Sequence, residues 1–102
     1  MEKYKTDFLS LHHCDCMDLM KQYPDKYFDL ALYDWQIGQF ATDGMKILDT
    51  HFGSGSIALA VNKANQLDKM NLHLTACEID EEYINKAIER IRFSIKQQTL
   101  NF

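Results

Sequence analysis

Two carboxylates bracket a closely spaced pair of glycines in this chain. Asp49 precedes Gly53 and Gly55 in the stretch DTHFGSGS, and Glu78 closes the next long apolar run. Glycine lets a ligand approach the backbone, and the start of a helix offers unpaired N–H groups. The turn reads G-x-G-x-x-A through Gly53, Gly55 and Ala58. It follows a strand-like run and opens a helical one, the setting that a dinucleotide fingerprint requires. An acid about 20 residues further on, where Glu78 stands, is where a ribose-binding carboxylate belongs. A phosphate, a nucleotide cofactor and a plain strand-to-helix turn are the three uses such a stretch could have. No Lys-Ser/Thr pair follows the glycines, so a phosphate-cradling loop is excluded. A carboxylate at Asp49 would repel a pyrophosphate and attract a cationic amino-acid moiety. S-adenosylmethionine carries an ammonium and a sulfonium, and the order of acid then glycines favours it over NAD.

A second cluster, HHCDC at His12–Cys16, has the residue types of a metal site but not the spacing. Alternate residues on a strand point to opposite faces and cannot close one tetrahedron, so no metal is expected there. The three cysteines, Cys14, Cys16 and Cys77, read as reduced thiols. Cys16 and Cys77 read as core-packing groups.

The elements that would position these residues follow from periodicity. Strand-like runs lie at Phe8–His13, Tyr27–Tyr33, Met45–Thr50 and Asn71–Ile79. Helical patterns lie at Ser56–Leu67, with Ile57, Ala60, Val61, Ala64 and Leu67 on one face, and at Glu81–Lys96, with Ile84, Ala87, Ile88, Ile91 and Ile95 on one face. Asp80 suits the N-cap of the second, with Glu81 and Glu82 at the positive end of its dipole. Tyr83 is expected to lay its ring on the sheet, and the Lys and Arg residues of this helix to form a solvated face. A short helix at Cys16–Tyr23 would end near Pro24, and Asp15 and Asp18 could cap it. Strands alternating with helices imply a parallel sheet covered by helices, an α/β fold.

The 102 residues suffice for one domain and carry a net charge of −4. Binding nucleic acid needs clusters of Lys and Arg, so the balance argues against a domain that binds it unaided. No apolar run approaches the roughly 20 residues needed to span a bilayer. The N-terminal MEKYKTDF has no apolar core of a secretory signal, which leaves the cytoplasm as the expected location.

The segment ILDTHFGSGSIALA resembles motif I of the DNA N6-adenine and N4-cytosine methyltransferases, whose usual form is D-x-F-x-G-S-G-T/S. TACEIDEEYINKAIERI is similar to the segment that follows in that family, and DCMDLMKQYPDKYFDLALYD to the stretch leading to its catalytic motif. The catalytic half precedes the cofactor half, as in the group called beta class. The resemblance implies a Rossmann-like methyltransferase core, reduced to a parallel sheet of about four strands, with strand order 3-2-1-4 in the family's numbering. It implies that Asp49, Phe52, Gly53, Gly55 and Ser56 line the S-adenosylmethionine site, that Glu78 holds the ribose hydroxyls, that Ile79 packs on the adenine, and that Asp15 and Cys16 lie near the adenine edge. Asp34 would open the catalytic motif and polarise the exocyclic amino group of a flipped adenine or cytosine in DNA.

The chain departs from that family where chemistry would occur. The family's D-P-P-Y tetrad is matched only by Asp34, followed by Trp35, Gln36 and Ile37. Only about 11 residues, 35–45, then join it to the next strand, where family members carry several strands and helices. The resulting organisation is one shortened domain: a catalytic-motif half over 1–34, a connection over 35–45 and a cofactor half over 46–102. Methyl transfer would be impaired in such a chain, and a non-catalytic cofactor-binding or partner-binding module is the other reading. An edge strand at Tyr27–Tyr33 would lack its neighbour, which predicts self-association or a partner chain covering that edge.

Overall fold

In a computed structural model of the protein, residues 2–24, 26–29, 43–50, 52, 53 and 55–100 are described. Their elements run in the order β1 (Glu2–Lys5), β2 (Leu9–His13), α1 (Cys16–Met20), β3 (Lys46–Asp49), α2 (Ser56–Asp68), β4 (His73–Glu78) and α3 (Glu81–Leu100).

Among the described residues the strands form a four-stranded sheet in the order β1-β2-β4-β3. β2 and β3 both run parallel to the central β4, whereas β1 pairs antiparallel with β2. The sheet is therefore mixed rather than wholly parallel, and its outer strand β1 was not expected. The sequence EKYK carries charges at three of its four positions, so it has no apolar signature. Those charges suit an edge, because they discourage pairing with another chain.

The strand expected at Tyr27–Tyr33 is not seen at Tyr27, Phe28 and Asp29, and its remainder lies outside the described residues. Asp29 nevertheless meets the outer edge of β3, which has no further strand beside it among the described residues. Its N–H donates to the Lys46 carbonyl at 2.8 Å, and its Oδ2 accepts from the Lys46 N–H at 2.8 Å. The self-association expected from this edge rests largely on the undescribed part.

One sheet face builds the main core. Leu9, Leu11, Ile47, Leu74 and Ala76 pack against Ile57, Ala58, Val61 and Ala64 of α2 and against Ile84, Ala87, Ile88 and Ile91 of α3. The α3 stripe is the one expected, with Ile95 partly buried at its end. In α2 the expected stripe holds only through Ala64, since Leu67 is 69% exposed. Tyr83 is also turned outward, 55% exposed, and does not lie on the sheet. The Asp80 carboxylate accepts from the N–H groups of Glu82 and Tyr83 at 2.9 and 3.2 Å, the capping contacts that start α3.

The opposite face carries a smaller cluster, in which Leu19 of α1 packs with Leu48 and Cys77. Cys14, Cys16, Tyr23 and Phe28 close around it. Tyr23, Tyr27 and Phe28 pack against one another, tilted or edge-on, with centroids 4.8–5.0 Å apart. Beside this cluster the same face is polar: Ser10, His12 and Thr75 are buried.

Candidate functional site

Because β2, β3 and β4 are parallel, their carboxyl ends share one edge of the sheet. Ligands of open α/β sheets bind at that edge. Asp15, Asp49, Gly53, Glu78 and Ile79 all follow or close these three strands, so the fold brings together most of the residues singled out in the sequence.

The glycine turn is held by its neighbours. Gly53 and Gly55 have φ of +56° and +84°, a region that glycine enters without a Cβ penalty. The Phe52 N–H donates to the Cys77 carbonyl at 3.2 Å, and Gly55 N–H to the Phe52 carbonyl at 3.1 Å. Gly53 N–H donates to Glu78 Oε1 at 2.9 Å, while Glu78 Oε2 accepts from Asp80 N–H at 3.0 Å. The strand-end acid thus staples the turn before α2 to the turn before α3.

Gly55 also answers a packing demand. A Cβ placed on it would stand 3.3 Å from Ala87 Cβ and 3.4 Å from the Phe52 ring, so α3 can approach the turn only because no side chain is there. Gly55 is the N-cap of α2, and with no side chain it leaves that helix start without a side-chain cap.

The remaining positions divide by environment. Phe52 is 4% exposed and belongs to the main core. Its burial gives it a supporting role beneath the turn. Ile79 is 68% exposed, a large apolar group at the rim beside Glu78. Ser56 Oγ accepts from an Arg90 guanidinium N–H at 3.4 Å. Asp15 is exposed and caps α1 through a 2.8 Å bond from Met17 N–H. Cys16 is half-buried at the start of α1, and Asp49 is half-buried at the end of β3. Asp34, with the segment Trp35–Ile37, lies outside the described residues.

Electrostatics at this edge are negative. The Cys77 thiol is pushed up to about 12, first by burial and then by Cys14, Cys16, Asp49 and Asp15. Asp15 and Asp49 are therefore both close enough to β4 to act on one buried atom from either side. With Glu78 and Asp80 they make an edge suited to a cationic or neutral ligand and unsuited to a phosphate.

The sequence weighs His13 only as part of the HHCDC cluster and gives no sign of its tie across the strand ends. His13 Nε2 lies 3.0 Å from the Ile79 carbonyl and ties the end of β2 to the end of β4. Strand alternation is the available sequence signal, since it puts His13 on the face of Leu9 and Leu11; the pairing of His13 with Glu78 comes from the β2–β4 register. Among the described residues, no group of three or more His, Cys, Asp and Glu side chains could hold a metal ion. No described helix is long and apolar enough to cross a membrane.

No family model matches this chain, and neither the curated proteins nor the solved structures contain a match.

Proposed function

We propose that the carboxyl edge of β3 and β4 is a nucleoside-cofactor site for S-adenosylmethionine, in a shortened relative of the DNA N6-adenine and N4-cytosine methyltransferases. The observation that carries this reading is the meeting of Glu78 with Gly53 at 2.9 Å. The acid expected to hold a ribose and the glycines expected to admit the ligand are adjacent in space, as one site requires.

The residues fit the group. Gly53, half-buried with φ of +56°, leaves no side chain at the turn, Ile79 offers an exposed apolar surface for a base, and the acidic edge suits an ammonium and a sulfonium. In this reading Asp49 attracts the cationic amino-acid end. Glu78 exchanges its bonds to backbone N–H groups for bonds to ribose hydroxyls, and Ile79 shields the adenine from water. The cofactor itself supplies a methyl group already activated by the sulfonium. Asp34 would accept hydrogen bonds from the target amino group, raising the nitrogen's nucleophilicity and orienting it. Most of the rate gain would then come from positioning.

A second reading, a module that binds cofactor or a partner without transferring a methyl group, is favoured by the sequence YDWQIGQF in place of the family's tetrad. Incubation with methyl-labelled S-adenosylmethionine and DNA separates the two. Label in DNA that is lost in Asp34→Ala supports transfer; binding of cofactor without label in DNA supports the module.

A further inference from the structure

At the opposite end of the sheet, between α2, α3 and the turn joining β1 to β2, lies an open cavity of about 860 Å3. Its size falls within the range of small-molecule sites, about 300–1,000 Å3. Its walls divide cleanly in character. Tyr4, Phe8, Leu72 and Ile95 give apolar surface, while Asn62, Gln66 and Asn71 give carboxamides.

The amides stand where a helix would ordinarily carry core residues. The inward face of α2 is apolar at Ile57, Ala58 and Val61 and then turns to Asn62, which is 5% exposed, and Asn65. Burying an amide costs free energy unless it is hydrogen-bonded. Asn65 has a structural use: its Nδ2 donates to the Leu72 carbonyl at 3.0 Å and its Oδ1 accepts from the Leu72 N–H at 2.7 Å, which fixes one wall. Gln66, the next residue, makes no hydrogen bond with its side chain among the described residues, and Asn71 reaches only the Asp43 carboxylate, at 3.3 Å. Both lie on the cavity's rim with acceptor oxygens uncommitted.

The charges narrow the ligand further. Asp7 contributes a carboxylate to the lining. His73, also in the lining, is held neutral to lower pH than usual, by burial first and by the Lys5 charge second. No cation among the lining residues would receive a phosphate. A sugar offers only narrow C–H patches between its hydroxyls and matches a continuous apolar wall less well than a flat aromatic ring does. A nucleobase has two apolar faces and an edge of adjacent donors and acceptors, which carboxamides pair with bidentately.

We infer that this cavity is a binding site for a neutral nucleobase or nucleoside, held edge-on by Gln66 and Asn71, with Asp7 accepting from an exocyclic amino group. It is separate from the glycine turn and does not depend on the function proposed for that edge.

The test is an NMR titration of the whole chain with adenine, cytosine and adenosine, with adenosine 5′-phosphate as the charged control. Saturable shifts of the Gln66 and Asn71 side-chain amides and of His73 are expected, with the phosphate form at least about tenfold weaker. The double variant Gln66→Ala, Asn71→Gly should lose about tenfold or more in affinity. Glycine keeps the left-handed backbone of Asn71, whose φ is +56°, so the variant should fold. Absence of shifts at millimolar base, equal affinity in the double variant, or shifts confined to Gly53 and Ile79 would overturn the inference. The last result would leave the glycine-turn site standing by itself.

Discussion

Glu78 Oε1 accepts a hydrogen bond from the Gly53 N–H at 2.9 Å, joining residues 25 positions apart in the chain. With the bond from Asp80 N–H to its other oxygen, the carboxylate ties both turns of the candidate site to β4. A hydrogen bond to a charged group is worth about 1.5–3 kcal/mol, and partial exposure reduces that. Glu78→Ala is expected to lower unfolding free energy by about 1–2 kcal/mol, read from urea denaturation. A change within about 0.3 kcal/mol would show that the two bonds add nothing in solution.

Gly55 and Gly44 allow a controlled comparison. Both have positive φ, +84° and +80°, but a Cβ at Gly44 would meet nothing within 4 Å, while one at Gly55 would press on Ala87 and Phe52. Alanine at either position strains the backbone by about 1 kcal/mol. Gly55→Ala should cost more than Gly44→Ala, by about another 1 kcal/mol from crowding. Thermal melts of the two variants measure the difference, and equal costs would contradict the packing role given to Gly55.

His12 sets a pH dependence. Its ring is buried, neither nitrogen has a hydrogen-bond partner among the described residues, and its pKa lies below the usual 6.5 because of burial first and the N-terminal charge second, with Glu2 opposing. His73 is shifted the same way. Above pH 6.5 both folded and unfolded forms are neutral, and these groups leave stability unchanged. Below it the unfolded chain takes up protons that the folded one refuses, so stability falls as pH drops from about 6.5 toward the lowered folded values. Urea midpoints at pH 7.5 and 5.5 should show this loss, and it should shrink in His12→Gln. An equal loss in the variant would assign it to other groups.

Thiol chemistry should discriminate among the cysteines. Cys77 is buried, its thiol donates to the Thr50 carbonyl at 3.4 Å, and it is pushed up to about 12. Cys14 and Cys16 are half-buried. The thiolate is the reactive form. Maleimide at neutral pH should therefore modify Cys14 and Cys16 well before Cys77, as peptide mass mapping would show. Early labelling of Cys77 would mean that the α1 cluster opens readily.

The helices were legible where one face had a single purpose. Ile84, Ala87, Ile88 and Ile91 repeat at helical spacing on a helix otherwise charged, and α3 buries these four. In α2 the buried stripe ends before the sequence period does, because Leu67 continues the period but is exposed, while the amides that turn inward have no apolar signal. β1 was invisible because its partner is β2 and its side chains are mostly charged. At the candidate edge, Gly53, Asp49 and Glu78 could be placed from the strand-turn-helix order. The staple between Glu78 and Gly53 could not, since it depends on β4 running two residues past the end of β3, which pairs Asp49 with Ala76, so that Glu78 reaches the turn.

The central claim is that the glycine turn and the acids around it hold a cationic nucleoside cofactor. Calorimetric titration of the chain with S-adenosylmethionine, with NAD as the comparison, tests it most directly. The account predicts saturable micromolar binding of S-adenosylmethionine, none of NAD, and a loss of about tenfold or more in Asp49→Ala. No heat of binding in a chain that circular dichroism shows to be folded, or equal binding of NAD, would contradict it.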